Sequence, residues 1–399
     1  MQEVVRRLSE NTVGSSQMFS RSNQVMNILQ VTPGIPPDRV GGIENYVMTL
    51  TGYLRGKAHE VTILTRRWKT DVHQEKTIQL RVPPGEISGY VAWSVNAWAS
   101  AHKKRRLVHC HGLEGACVIS LPNISRSGTV FHLHNTISRS PAWLNRHPVR
   151  HRISIEILKG ACRIADRIIT PTESTREDLL TETNHLDPNK VRVIPNMVDT
   201  KKFAPRRDEL ALRDALGCGG RVTLMYFGKI RPSKGIETIC RAYDLVDKKR
   251  IALVVAGSVS ADDVRFLQIL KSKFRDVVFA LCADPVEDPP NYYNAADVFA
   301  IHSPPTRWGE TFSIATLEAM SSGLPVICTD SPVFKEVTMN NALSVEFGNV
   351  RRLAEAIELL SDDDAMRRSM GAKSREIVAD NYSVEKVAWK VENLYRELA

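Results

Sequence analysis

The 399-residue chain has no apolar run approaching the length of a membrane-spanning helix; its clearest ones are short, such as Ile251 to Ala256. The amino terminus lacks the apolar core of a secretory signal, so the expected compartment is the cytoplasm. None of the seven cysteines (Cys110, Cys117, Cys162, Cys218, Cys240, Cys282 and Cys328) is spaced from another as a CxxC pair. An odd, scattered set predicts free, mostly buried thiols and no disulfide. Acidic clusters are missing beside the two histidine pairs, His109/His111 and His132/His134. A metal site needs three or four convergent ligands with supporting hydrogen bonds, so no metal is expected.

What is present is an ordinary globular composition, 43% hydrophobic and 25% charged, long enough for two α/β domains with separate cores. The net charge of +9 is uneven: residues 1–200 hold 26 Lys+Arg against 17 Asp+Glu, while residues 201–399 hold 28 of each. Within residues 91–170 the counts are 12 basic and 3 acidic. Such a segment either meets an anionic partner, a phosphorylated lipid at a membrane face or an acidic acceptor, or is a solvated face. Charge pattern does not choose between these. The stretch from Gly89 to Arg106, with Trp93, Trp98 and a basic end at Lys103 to Arg106, reads as a core helix with a cationic last turn or as an interfacial helix.

Residues 1–24 show no period and predict a poorly ordered extension. Asn27 to Val31 then reads as a buried strand, followed by a Pro/Gly loop and by Gly41-Gly42-Ile43-Glu44 opening a helix. Strand, glycine turn and helix begin a doubly wound unit whose helix N–H groups can face an anion. In the second half, the strand ending at Phe227 runs into Gly228-Lys229-Ile230-Arg231-Pro232-Ser233-Lys234-Gly235, a turn whose two lysines suit a diphosphate. The stretch from Trp308 to Asp330, WGETFSIATLEAMSSGLPVICTD, reads as loop, helix and strand, with Glu310 before the helix and Glu318 inside it.

Glu310, Phe312, Leu317-Glu318-Ala319-Met320 and Gly323-Leu324-Pro325-Val326-Ile327 in this order resemble the E-x7-E signature of retaining glycosyltransferases of family 4 (glycosyl transferases group 1). Resemblance extends over nearly all of the chain after its first 25 residues. It implies the GT-B fold: two doubly wound, Rossmann-like domains facing each other across a cleft. The domains expected are 25–200 for acceptor, 201–382 for nucleotide sugar, and 383–399 as a helix crossing back to the first.

The implied function is a retaining, metal-independent hexosyltransferase-type enzyme that moves a sugar from a UDP- or GDP-linked donor to a lipid-linked or glycan acceptor. It would need no cofactor, bind no nucleic acid, and sit in the cytoplasm or peripherally on an anionic membrane face. The resemblance places His134 and Glu310 at the reacting centre. It places Gly228, Lys229, Lys234, Gly309, Glu310, Thr311, Phe312, Ser313 and Glu318 around the donor, with Lys229 and Lys234 on the diphosphate, Glu310 on the sugar and Glu318 on the ribose. Gly41 and Gly42 would line the phosphate side of the acceptor domain.

Three positions depart from the family pattern: Lys229 stands where arginine is usual, Met197 where glycine follows Asn196, and Ser331-Pro332 where Gly-Gly is common. A catalytically silent sugar-nucleotide-binding or scaffold protein of the same fold therefore remains open, as does a GT-B epimerase. A phosphorylase is disfavoured because no lysine is marked for a pyridoxal Schiff base.

Overall fold

The computed structural model describes residues 24–36, 41–66, 76–80, 106–120, 126–134, 148–183, 185–206, 210–282, 288–305 and 310–399. Gly309, nearly all of the amino-terminal extension and most of the basic, Trp-bearing stretch lie outside them. The first sheet is formed by β1 (Asn27–Thr32), β2 (Glu60–Arg66), β3 (Thr77–Leu80), β4 (Arg106–His111), β5 (Arg126–His132), β6 (Arg167–Thr170) and β7 (Val191–Val193). Its order is β3-β2-β1-β4-β5-β6-β7, with every pairing parallel.

The second sheet follows the same plan with β8 (Val222–Phe227), β9 (Ile251–Gly257), β10 (Val278–Leu281), β11 (Val298–Ile301), β12 (Val326–Thr329) and β13 (Leu343–Val345). The order is β10-β9-β8-β11-β12-β13, again all parallel. Continuous apolar strands such as Ile251–Gly257, buried at every position, are what a sheet covered by helices on both faces requires. The strand order reverses between β1 and β4 in one sheet and between β8 and β11 in the other. Doubly wound sheets bind ligands at the carboxyl ends of the strands flanking such a reversal.

The helix Val384–Arg396 returns to the first domain. Val387, Ala388, Val391, Leu394 and Tyr395 recur on one face and join Ile28, Tyr46, Val47 and Leu50 in a single buried cluster. Each such buried aliphatic side chain contributes about 1.5–3 kcal/mol. A polar knot fixes the register. The Met26 backbone N–H donates to His59 Nδ1 (3.2 Å), which leaves the ring proton on Nε2, facing Glu392 Oε1 at 3.2 Å. Glu392 also accepts from Tyr53 Oη (3.3 Å) and from Arg396 (2.5 Å).

Local details differ from the sequence reading. Arg106 begins β4 instead of ending a helix, and the five residues after it are continuously buried as a central strand of the sheet. Met197 does not take a left-handed backbone and is buried in the cluster with Tyr46 and Val387. Ser331 caps the helix Pro332–Thr338, its hydroxyl accepting from the Phe334 N–H at 3.3 Å. All seven cysteines are free thiols.

Candidate active site

At the carboxyl end of β8 the chain must turn sharply, and glycine makes this possible. Gly228 and Gly257 have φ of +149° and +142°, and a Cβ on Gly257 would lie 1.8 Å from the Gly228 carbonyl oxygen. Gly235 (φ +66°) is equally constrained, since a Cβ there would lie 1.8 Å from the His302 oxygen. Between these glycines, Lys229 and Arg231 are exposed and Lys234 is half-buried, all three lining one cleft. The helix Ile236–Tyr243 starts immediately after Gly235.

The helix Ile314–Ser321 is positioned by Ser313, whose hydroxyl accepts from the Thr316 N–H (3.3 Å) and hydroxyl (2.8 Å). Glu310 precedes this cap, and its Oε1 accepts from Lys234 Nζ in an ion pair and from Ser303 Oγ at 3.3 Å. Glu318 lies within the helix, one turn beyond Ala315, where the Tyr293 hydroxyl donates to it at 2.7 Å. Desolvation pushes the Glu318 carboxyl up to about 7, against the opposing effects of the Tyr293 hydrogen bond and the Lys202 charge.

The first domain supplies the opposite wall. Gly41, Gly42, His134 and Asn196 face Glu310, Thr311, Phe312 and Ser313 around a cavity of about 490 Å³. The approach is close: a Cβ on Gly42 would stand 3.0 Å from Ile314 Cδ1. Thr311 Oγ1 donates to the His134 carbonyl at 2.7 Å, and the Thr172 hydroxyl donates to the Thr311 carbonyl at 3.3 Å. His134 is buried, which lowers its imidazole to about 3, and its Nε2 lies 3.0 Å from His111 Nδ1. Glu310 and Thr311 also form one side of a smaller cavity of about 180 Å³ that reaches Ser174, Asp178 and Phe334.

The residues expected from the sequence thus gather in one place, with two qualifications. Gly309 lies outside the described residues, and Glu318 is not among the residues lining the cleft. Sequence reasoning passed over Arg231 and Asn196 as site residues, although Arg231 stands two positions from Lys229 in the same loop. It also missed Ser303 and Tyr293, which are the partners of the two glutamates. Ser303 stands two residues beyond the end of β11, and its place at the strand end was the available signal.

Residues 40–202 match the family model described as Glycosyltransferase Family 4, and residues 211–377 match that described as Glycosyl transferases group 1. The chain belongs to the family 4, group 1 glycosyltransferases. Among relatives of this glycosyltransferase is the D-inositol 3-phosphate glycosyltransferase of Kineococcus radiotolerans, 26% identical over 84% of this chain and 85% of the relative. Another is the GDP-mannose-dependent alpha-(1-6)-phosphatidylinositol monomannoside mannosyltransferase of Mycobacterium tuberculosis, 26% identical over 92% of this chain and 98% of the relative. Anabaena HepE, solved in complex with UDP and glucose, superposes with a TM-score of 0.74 at 18% identity, covering 93% of this chain and 99% of that one. The last likeness concerns the fold, which is GT-B. The protein is accordingly a hexosyltransferase-type enzyme with a nucleotide-sugar donor.

Proposed function

We propose that this glycosyltransferase transfers a hexose with retention from a UDP- or GDP-linked donor to the hydroxyl of a lipid-linked or glycan acceptor, without a metal in the cleft. The observation that carries the reading is the convergence of Lys229, Arg231 and Lys234 with Glu310 at the strand-order reversal, facing Gly41, Gly42 and His134. In the transfer, the bond between the anomeric carbon and the diphosphate oxygen breaks as the acceptor oxygen bonds to that carbon, and the acceptor's hydroxyl proton passes to the departing diphosphate oxygen. The diphosphate leaves with negative charge, and three preorganised cations meet it. The free N–H groups opening the helix Ile236–Tyr243 add a favourable dipole. Glu310 accepts from sugar hydroxyls and thereby orients the anomeric carbon. Glu318 would serve the ribose hydroxyls, reached by movement of the residues between it and the cleft. His134 sits on the acceptor side of the reacting centre.

The basic residues of 91–170 support a second element of the proposal, peripheral docking of this cytoplasmic protein on an anionic membrane that presents the acceptor. Each such residue near the surface contributes about 1 kcal/mol. Among the described residues no helix is long and apolar enough to cross a membrane.

A panel of UDP-, GDP- and ADP-sugars tests the donor half by thermal shift and by diphosphate release with and without acceptor. One nucleotide class should raise the melting temperature, and its release should require acceptor. Absence of any shift overturns the donor site, and release accompanied by isomerised sugar without acceptor favours an epimerase. The anomeric configuration of the product decides retention. Co-sedimentation with vesicles of increasing anionic lipid content decides docking, and failure to pellet at low salt overturns that element alone.

A further inference from the structure

Beneath the cleft the first sheet holds a group that the transfer reaction does not use. His109 and His111 alternate along β4 and so share one face, and His111 stands opposite His132 of the adjacent strand β5. All three are fully buried. Their ring centroids lie 4.1 Å (His109 to His111), 5.5 Å (His111 to His132) and 5.6 Å (His109 to His132) apart. One ring nitrogen from each falls within 4.8 Å of the other two. From the sequence, metal is set aside because no Asp or Glu cluster accompanies the histidine pairs; three imidazoles from two adjacent strands need none. The strand order supplies their convergence.

The hydrogen bonds sort the nitrogens. His109 Nδ1 is bonded to the Tyr395 hydroxyl and His111 Nε2 to Gln30 Oε1 at 2.7 Å. Metal-ligating imidazoles are characteristically held this way, through the nitrogen not facing the ion. The opposite nitrogens are left for the centre. His109 Nε2 has no hydrogen-bond partner among the described residues, and neither nitrogen of His132 has one. A buried polar atom left unsatisfied costs about 1–3 kcal/mol, so three in one pocket call for an occupant. His111 Nδ1 presently contacts His134 and would turn from it to the ion. Tyr46 packs edge-on against His132, with 4.7 Å between ring centroids, and its buried hydroxyl is also without a partner.

We propose that His109, His111 and His132 form a binding site for one borderline transition-metal dication of the zinc, cobalt or nickel class, held inside the first domain directly behind the cleft-lining His134. Imidazole-only coordination selects these ions over magnesium and calcium, which require oxygen ligands. Zinc–nitrogen bonds of about 2.0–2.1 Å place tetrahedral ligands roughly 3.3 Å apart, so nitrogens that now lie within 4.8 Å of one another draw together by rotation of the rings when the ion binds. Through Tyr395 the site also engages the returning helix, which makes its role structural. The inference does not rest on the donor assignment.

Because the site is buried, the ion must enter during folding. The untagged full-length protein is therefore refolded with zinc, or with cobalt as a spectroscopic probe, and metal is counted after gel filtration. The expected result is about one ion per chain, with the intense visible bands of four-coordinate cobalt. His109→Gln and His132→Gln together should abolish both, while His185→Gln, at an exposed histidine, leaves them unchanged. Should the double variant fail to fold, the wild-type stoichiometry and cobalt spectrum still decide. Metal below about a tenth of an equivalent, a weak six-coordinate spectrum, or binding that survives in a folded double variant each overturns the proposal.

Discussion

Lys234 Nζ is ion-paired with Glu310 Oε1, so the cation proposed for the diphosphate and the carboxylate proposed for the sugar hold each other. The donor must loosen this pair in order to use both partners.

Glu310→Gln should therefore move binding and turnover in opposite directions. Released from its countercharge, Lys234 should bind a nucleoside diphosphate about fivefold more tightly, equivalent to the roughly 1 kcal/mol of a partly exposed pair. Turnover should fall by about a hundredfold or more as the sugar loses its acceptor group. Calorimetry with diphosphate and steady-state rates with donor test this; weaker diphosphate binding together with unchanged turnover would contradict it.

The Glu318 carboxyl, raised from 4.5 to about 7 by desolvation, favours its protonated form in the folded protein. Its contribution to stability is complete below about pH 4.5 and is lost as pH rises through about 7. Ligand-free melting temperature should consequently contain a downward component over that interval, absent in Glu318→Gln. Ribose hydroxyls donate best to the ionised form, so diphosphate affinity should rise severalfold between about pH 6 and pH 8 in the wild type and stay flat in the variant. Parallel pH profiles in both proteins would remove Glu318 from the nucleotide site.

Because Lys229, Arg231 and Lys234 are available to neutralise the departing diphosphate, added magnesium should leave the transfer rate unchanged. Rates measured over a magnesium titration, with a chelator control, are the check. Activity that depends on magnesium would require a different account of the leaving group.

Glu392 joins His59, Tyr53 and Arg396 at the base of the first domain, with its side chain only 8% exposed. Glu392→Leu should cost about 3 kcal/mol, since it leaves the buried His59 imidazole N–H without its acceptor. In urea unfolding, the double change with His59→Leu should cost less than the sum of the single ones. A loss under about 0.5 kcal/mol would mean that water replaces the carboxylate freely.

Much of the fold was legible because strands buried on both faces are written as short continuous apolar runs, as in β8, β9 and β12. Glycines at positive φ made the Gly228 to Gly235 turn readable for the same reason: few other residues can occupy it. The site was legible as residue types but not as pairs. Lys234 and Glu310 are 76 positions apart, and Thr311 and His134 are 177 apart. The first contact needs the strand order of the second sheet and the second needs the mutual placement of the domains. The histidines illustrate the limit most clearly. Alternation places His109 and His111 on one face, but only the adjacency of β4 and β5 brings His132 to them.

The helix Val384–Arg396 closes the core of the first domain, yet it is synthesised after the whole of the second. During translation the nascent first domain must therefore wait with Ile28, Val47 and Leu50 incompletely covered. At roughly 5–20 residues per second, the interval lasts on the order of ten seconds or more. This chain reverses the usual order in which an amino-terminal domain is finished first. The apolar face that this helix covers is therefore the last part of the first domain's core to close.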